Sequence, residues 1–185
     1  MIIRTLSGVD SLLPEEREEM VLLSRECFLE PPRREPFFYN KISTYFEWMF
    51  SIPDVISLLC ISGNGQVRGA TFAYPVIHNQ EISDFLVKNG IEDLSRIIYL
   101  AEIFVDKKYR NMGAGRSLHQ LRILSAKAKS MNLVVERTSP ASKMFSMILK
   151  DGFTPIGGME VMSLKNFSGT QIMVPDARVV SIKKI

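Results

Sequence analysis

Two features of the chain carry residue types suited to chemistry, and they are adjacent. The first is the hexapeptide Arg110, Asn111, Met112, Gly113, Ala114, Gly115, which opens an amphipathic stretch. A helix start exposes unpaired N–H groups and the positive end of its dipole, and glycines there let backbone approach a bound anion closely. With Arg110 and Arg116 adding charge, RNMGAGR reads as a phosphate cradle. The second is IIYLAEIFV (Ile97 to Val105), whose only charged residue is Glu102. A carboxylate buried among apolar side chains has its pKa raised toward the range of a useful proton acceptor. A structural carboxylate paired with an Arg or Lys reads equally well.

The secondary structure that would hold these residues can be read from pattern. Ile2 to Leu6 can form a first strand. Pro14 and the acidic residues Glu15, Glu16, Glu18 and Glu19 suit a helix start, and Pro31, Pro32 and Pro36 break the chain after that helix. Phe37 to Phe50 reads as a short aromatic helix. VISLLCI and VRGATFAYPVI flank Asn64-Gly65, a hairpin signal. Leu86 to Leu94 reads as a short helix or loop. Arg96 to Val105 is a long strand apolar on both faces. A helix from about Gly113 to Met131 is expected to bury Ala114, Leu118, Leu121, Leu124 or Ser125, and Ala128. NLVVERT is a strand, Pro140 to Gly152 a helix, and FTPIGG and EVMSLKN a closing strand pair. ARVVSI adds a strand-like piece in the tail.

Two familiar phosphate motifs fail here. A P-loop needs glycine where Arg110 stands and lysine where Arg116 stands, and a dinucleotide fingerprint needs glycine at Leu118. What matches is R/Q-x-x-G-x-G/A at a strand-to-helix junction. The ordered pattern strand, RNMGAG, helix, strand, helix, Gly152-Phe153, from Arg96 to Met162, resembles the GNAT superfamily of acyl-CoA-dependent N-acyltransferases. The resemblance implies a mixed α/β (α+β) fold: a central, mostly antiparallel twisted sheet with a splayed parallel strand pair, flanked by helices. It implies one domain over residues 1–185, with 166–185 as a tail that could add a strand.

The resemblance also implies the site. Backbone amides of Arg110, Asn111, Met112, Gly113, Ala114 and Gly115 would hold the pyrophosphate of acetyl-CoA or another acyl-CoA. Phe104 and Val105 would pair through their backbone with the pantetheine arm, in a slot opened where NLVVERT splays away. A backbone N–H near Ile103 to Val105 would polarise the acyl carbonyl. Lys143 would sit near the CoA end, or be a solvated lysine. Glu102 would be the base that frees an amine for attack. The family's usual acid is a tyrosine, and Ile148 stands in its place; Tyr99, Ser142 or water are the substitutes. His119 reads as a surface residue and His78 as a loop histidine. Phe37, Phe38, Tyr39, Tyr45, Phe46, Trp48 and Phe50 supply core, with some left to line an acceptor or long-acyl pocket.

Bulk properties agree. The chain has 185 residues, 46% hydrophobic and 23% charged, with net charge +3. That charge is mild for a nucleic-acid binder, although basic residues crowd Lys107 to Lys129; those from Arg122 onward also read as a solvated helix face. No apolar run nears the roughly 20 residues of a membrane span. No signal-peptide pattern opens the chain, so a cytoplasmic protein is expected. Cys27 and Cys60 read as buried reduced thiols, and no Cys/His cluster suggests a metal. The implied partners are a CoA thioester and an amine, of a small molecule or a protein, with no nucleic acid and no membrane. A homodimer fits the family, the tail crossing over. A non-catalytic acyl-CoA-binding module is the alternative.

Overall fold

The computed structural model describes residues 1–185. Its core is one seven-stranded sheet. The strands are β1 (Ile2–Leu6), β2 (Ile56–Ile61), β3 (Val67–Pro75), β4 (Ile97–Val105), β5 (Leu133–Thr138), β6 (Thr154–Phe167) and β7 (Thr170–Lys184). They lie in the order β1-β2-β3-β4-β5-β7-β6, antiparallel except for β4 beside β5. The helices are α1 (Pro14–Leu29), α2 (Tyr39–Ser51), α3 (Gln80–Lys88), α4 (Ala114–Ala128) and α5 (Lys143–Lys150). None is long and apolar enough to cross a membrane.

The sheet separates two cores. Helices α1, α2 and α3 press Met20, Phe46, Met49, Ile82 and Leu86 onto one face. Helices α4 and α5 press Ala114, Leu118, Ala126 and Ile148 onto the other. Gly69 on β3 lets α4 sit close, because a Cβ there would lie 2.8 Å from the Phe104 carbonyl oxygen and 3.3 Å from Leu118 Cδ1.

Several expectations are corrected. The helix after the hairpin is α3, capped by Asn79, whose side chain accepts from Ile82 N–H; it ends before Gly90. FTPIGG and EVMSLKN are one strand, β6, bent by a register shift between Pro155 and Gly157. The partner of β6 is the tail itself: β7 lies between β5 and β6 in the same sheet. Helix α4 buries Ala114, Leu118, His119, Arg122 and Ala126, while Leu121 and Leu124 are 37% and 61% exposed. The i, i+4 row through residue 122 faces the sheet, so charge is carried inward and leucine outward.

Candidate active site

The parallel pair β4–β5 is registered at only three positions, Ile97 with Leu133, Ile98 with Val134 and Tyr99 with Val135. Both strands run on without pairing, so a slot opens between them. At its far end a cavity of about 190 Å³ is lined by Cys27, Ile103, Val105, Arg110, Thr138 and Ser142 among others. Asp106 N–H donates to Arg68 O, and the β3–β4 register is unbroken from Phe72/Glu102 to Gly69/Val105. By antiparallel alternation the Phe104 amide serves β3, and Ile103 and Val105 present theirs to the slot. The Phe104 side chain is core, against Phe28 and Phe46.

The turn after β4 leaves its amides free. Arg110 N–H bonds Lys107 O and Ser117 N–H bonds Gly113 O; the N–H groups of residues 111–116 between them have no protein acceptor. Asn111 (φ 63°) and Gly113 (φ 89°) take left-handed conformations, and Gly113 caps α4. A side-chain carbon built on Gly113 meets no atom within 4 Å, so the hollow over the helix start is open. Arg110 does not point into it. Its guanidinium is clamped to both oxygens of Glu30 and donates to Val105 O at 2.8 Å and Cys27 Sγ at 3.3 Å. Arg110 therefore staples the turn to α1, and Arg116, Lys107 and Lys108 remain as exposed cations there. Lys143 is exposed and lines neither cavity.

A bulge in β4 aims Glu102. Phe72 pairs with Glu102 and Tyr74 with Tyr99, so Leu100 and Ala101 together oppose Ala73. Before the bulge Ile97 and Tyr99 face the α1–α3 side and Ile98 and Leu100 the α4 side. After it the parity flips, and Glu102 joins Ala101 on the α1–α3 side. There it lines a cavity of about 570 Å³ with Phe28, Phe37, Phe38, Tyr45 and Tyr99. Burial raises the Glu102 pKa, and Arg33, with Nη1 3.6 Å from Glu102 Oε2, opposes the rise. Tyr45 Oη donates to Glu102 Oε1 at 3.4 Å, and burial raises the Tyr45 pKa above the ordinary phenol value.

Residues that the pattern of the chain did not point to complete the site. Arg33 and Arg178 line both cavities. Arg178 Nη2 bonds Glu35 Oε1 at 2.7 Å and Asp176 Oδ2 at 2.5 Å, and Lys165 bonds the same two carboxylates at 3.2 and 2.6 Å. The only advance signal was charge inside the proline-framed PPRREP and at an inward position of β7. On the other face Arg122, fully buried, reaches Glu136 Oε2 at 2.8 Å, Thr71 Oγ1 at 3.3 Å and Glu102 O at 3.5 Å. His119 is also fully buried, not a surface residue. Its Nδ1 accepts from Arg122 Nη2 at 2.8 Å, and burial first, then the Arg122 charge, push its pKa down to about 2. Burial raises Glu136 to about 7, against the pull of Arg122.

Of the substitutes for the missing tyrosine, Tyr99 lines the larger cavity and Ser142 the slot, where its Oγ lies 2.9 Å from Thr138 Oγ1. Ile148 is fully buried in the α5 core. His78 is exposed and lines neither cavity. Cys60 is buried, while Cys27 is half-buried on the slot.

No protein-family model matches the chain, and no curated sequence matches it. Solved structures do. A ribosomal-protein-alanine N-acetyltransferase from Brucella melitensis superposes with TM-score 0.71 at 13% identity, over 100% of both chains. A GNAT superfamily phosphinothricin acetyltransferase from Sinorhizobium meliloti, in complex with AcCoA, gives 0.69 at 14%, over 100% of this chain and 89% of that one. A GCN5-related N-acetyltransferase from Kribbella flavida gives 0.65 at 14%, over 99% and 98%. The chain has the GNAT fold: a mostly antiparallel sheet with one splayed parallel pair and helices on both faces.

Proposed function

We propose that this protein is an N-acyltransferase that moves an acyl group, acetyl in the first instance, from acyl-CoA to an amine of a small molecule or a protein. One observation carries the reading. The slot left by β4 and β5 runs from Arg110, which opens the turn with the free amides, toward the cavity that holds Glu102, and Arg33 and Arg178 line both.

The free amides of residues 111–116 suit the pyrophosphate, with Arg116, Lys107 and Lys108 beside them. The slot-facing backbone of Ile103 and Val105 suits the amide-bearing pantetheine arm, and an N–H there polarises the acyl carbonyl. The thioester supplies the acyl group: the C–N bond forms, the C–S bond breaks, and the electron pair leaves with sulfur. Glu102, directly or through a water, takes the proton that the amine must lose. Its raised pKa suits that task. Ser142 and Thr138 hydroxyls line the slot where sulfur leaves, and the thiolate is protonated there by solvent.

The buried Ile148 in place of the family tyrosine favours a second reading, a module that binds acyl-CoA without turnover. Calorimetric titration of acetyl-CoA into wild type and Gly113→Trp, with a free-thiol assay over a panel of amines, separates the two. Binding by wild type alone, with thiol release, supports transfer. Binding without release on any amine supports the module. No binding by folded wild type removes both.

A further inference from the structure

We propose that the Glu102 cavity takes a free α-amino acid with an apolar side chain, its carboxylate on Arg33 and its amine on Glu102. The proposal rests on the acyl-transfer reading and names the acceptor for that same site.

The guanidinium of Arg33 is the reason. It stands where the two cavities meet, stacked 4.6 Å from the centre of the Phe28 ring. Its only anionic neighbours are Glu102 Oε2 at 3.6 Å and Glu35 Oε2 at 3.9 Å, both beyond hydrogen-bond length. A guanidinium carries five N–H donors in a planar fork that matches a carboxylate. Of the other cations of the cavity, Lys41 is exposed at the rim, with Nζ 5.9 Å from the centre of the Phe38 ring, and the two arginines are engaged. Arg178 is bonded to Glu35 and Asp176, and Arg137 to Glu81. Glu35 is itself held by Lys165 and Arg178, so it is not waiting for Arg33.

The spacing selects the ligand. A positive and a negative group stand 3.6 Å apart at the mouth of the slot. The charged ends of an α-amino acid are separated by one carbon, so its ammonium falls against Glu102 while its carboxylate falls against Arg33. A peptide N-terminus has a neutral carbonyl at that place, and a polyamine has a second cation; either leaves the Arg33 fork without a carboxylate at hydrogen-bond distance. Once Glu102 has taken the amine proton, the ligand carboxylate balances the Arg33 charge. The walls decide the rest: Phe28, Phe37, Phe38, Ile42, Met162 and Leu164 offer an apolar surface in a cavity of about 570 Å³.

The test is direct binding, which needs no turnover. L-phenylalanine and L-leucine, each beside its carboxamide, are titrated calorimetrically into wild type, Arg33→Met and Arg33→Lys. Wild type is expected to prefer acid over amide by about tenfold or more, as loss of a hydrogen bond to a charged group implies. Arg33→Met should reduce the preference to within about twofold, and Arg33→Lys, lacking the fork, should fall between. Equal binding of acid and amide by wild type, no binding of the acids, or a preference that survives in Arg33→Met overturns the proposal. The wild-type comparison holds whether or not the variants fold. If the acids bind through Arg33 but acetyl-CoA does not bind, the transfer reading falls and the amino-acid site stands. If acetyl-CoA is used equally with phenethylamine and L-phenylalanine, transfer stands and the role of Arg33 falls.

Discussion

Arg122 Nη2 lies 2.8 Å from Glu136 Oε2, at the point where β4 and β5 part. The same guanidinium reaches the Glu102 carbonyl on β4 and Thr71 on β3, so one side chain from α4 ties three strands together just beyond the last β4–β5 pair. The fork that makes the slot is thus closed at its vertex by a buried ion pair. Removing one partner strands the other. Arg122→Met is expected to cost about 3–5 kcal/mol, because Glu136 is left buried and unpaired. The double variant Arg122→Met, Glu136→Gln should recover part of that loss. Urea unfolding checks both; a double variant no more stable than the single would show that the charge is not the cause.

The same group sets a pH dependence. Glu136 is raised from 4.5 to about 7 in the fold, so its contribution to stability falls as pH rises between those values. His119 is lowered from 6.5 to about 2, so its contribution falls as pH drops below 6.5. Between pH 4.5 and 6.5 the two slopes oppose and cancel. Glu136→Gln removes one of them. Relative to wild type, its stability should fall by up to about 1.4 kcal/mol per pH unit on acidification through that window. Parallel stability curves for the two proteins would contradict the assignment.

The open glycine turn at the start of α4 was legible because its geometry is local: strand, basic glycine turn and helix are consecutive. The sequence carried Glu102 because one charge in an apolar strand is conspicuous. It did not carry Arg33, Glu35 or Arg178, whose meeting joins the α1–α2 loop to β7 across the whole chain. It placed α4 but turned part of its inward face, because leucines at 121 and 124 outweigh an arginine in any hydrophobic pattern, and only the partner Glu136 makes Arg122 an inward residue. It split β6 after Gly158, close to the bulge between Pro155 and Gly157 where the strand bends without ending.

Gly69 is a position that pattern cannot read, since its demand comes from another strand and a helix. Gly69→Ala would place Cβ 2.8 Å from the Phe104 carbonyl oxygen, which is backbone and cannot swing away. The expected cost is about 1–3 kcal/mol as β3, β4 and α4 shift. Acyl-CoA affinity should weaken as well, because Phe104 lies between the two slot-facing residues. Thermal unfolding and calorimetry on the same preparation check it. Full stability with full affinity would mean that the contact is relaxed at no cost.

Glu102→Gln tests the chemistry itself. The amide keeps the shape and can still meet Tyr45, but it cannot take a proton. On the transfer reading, kcat/KM should fall by about 10²–10⁴-fold, the usual weight of a general base. Acyl-CoA affinity should be unchanged, because the free amides of residues 111–116 are not part of the cavity that holds Glu102. The wild-type pH profile should rise through a pKa above the ordinary carboxylate value, since burial outweighs the neighbouring Arg33. In Glu102→Gln that limb should vanish and leave only the ionisation of the amine. An acid limb that persists unchanged would assign it to the substrate and reduce Glu102 to the structural partner of Arg33 and Tyr45.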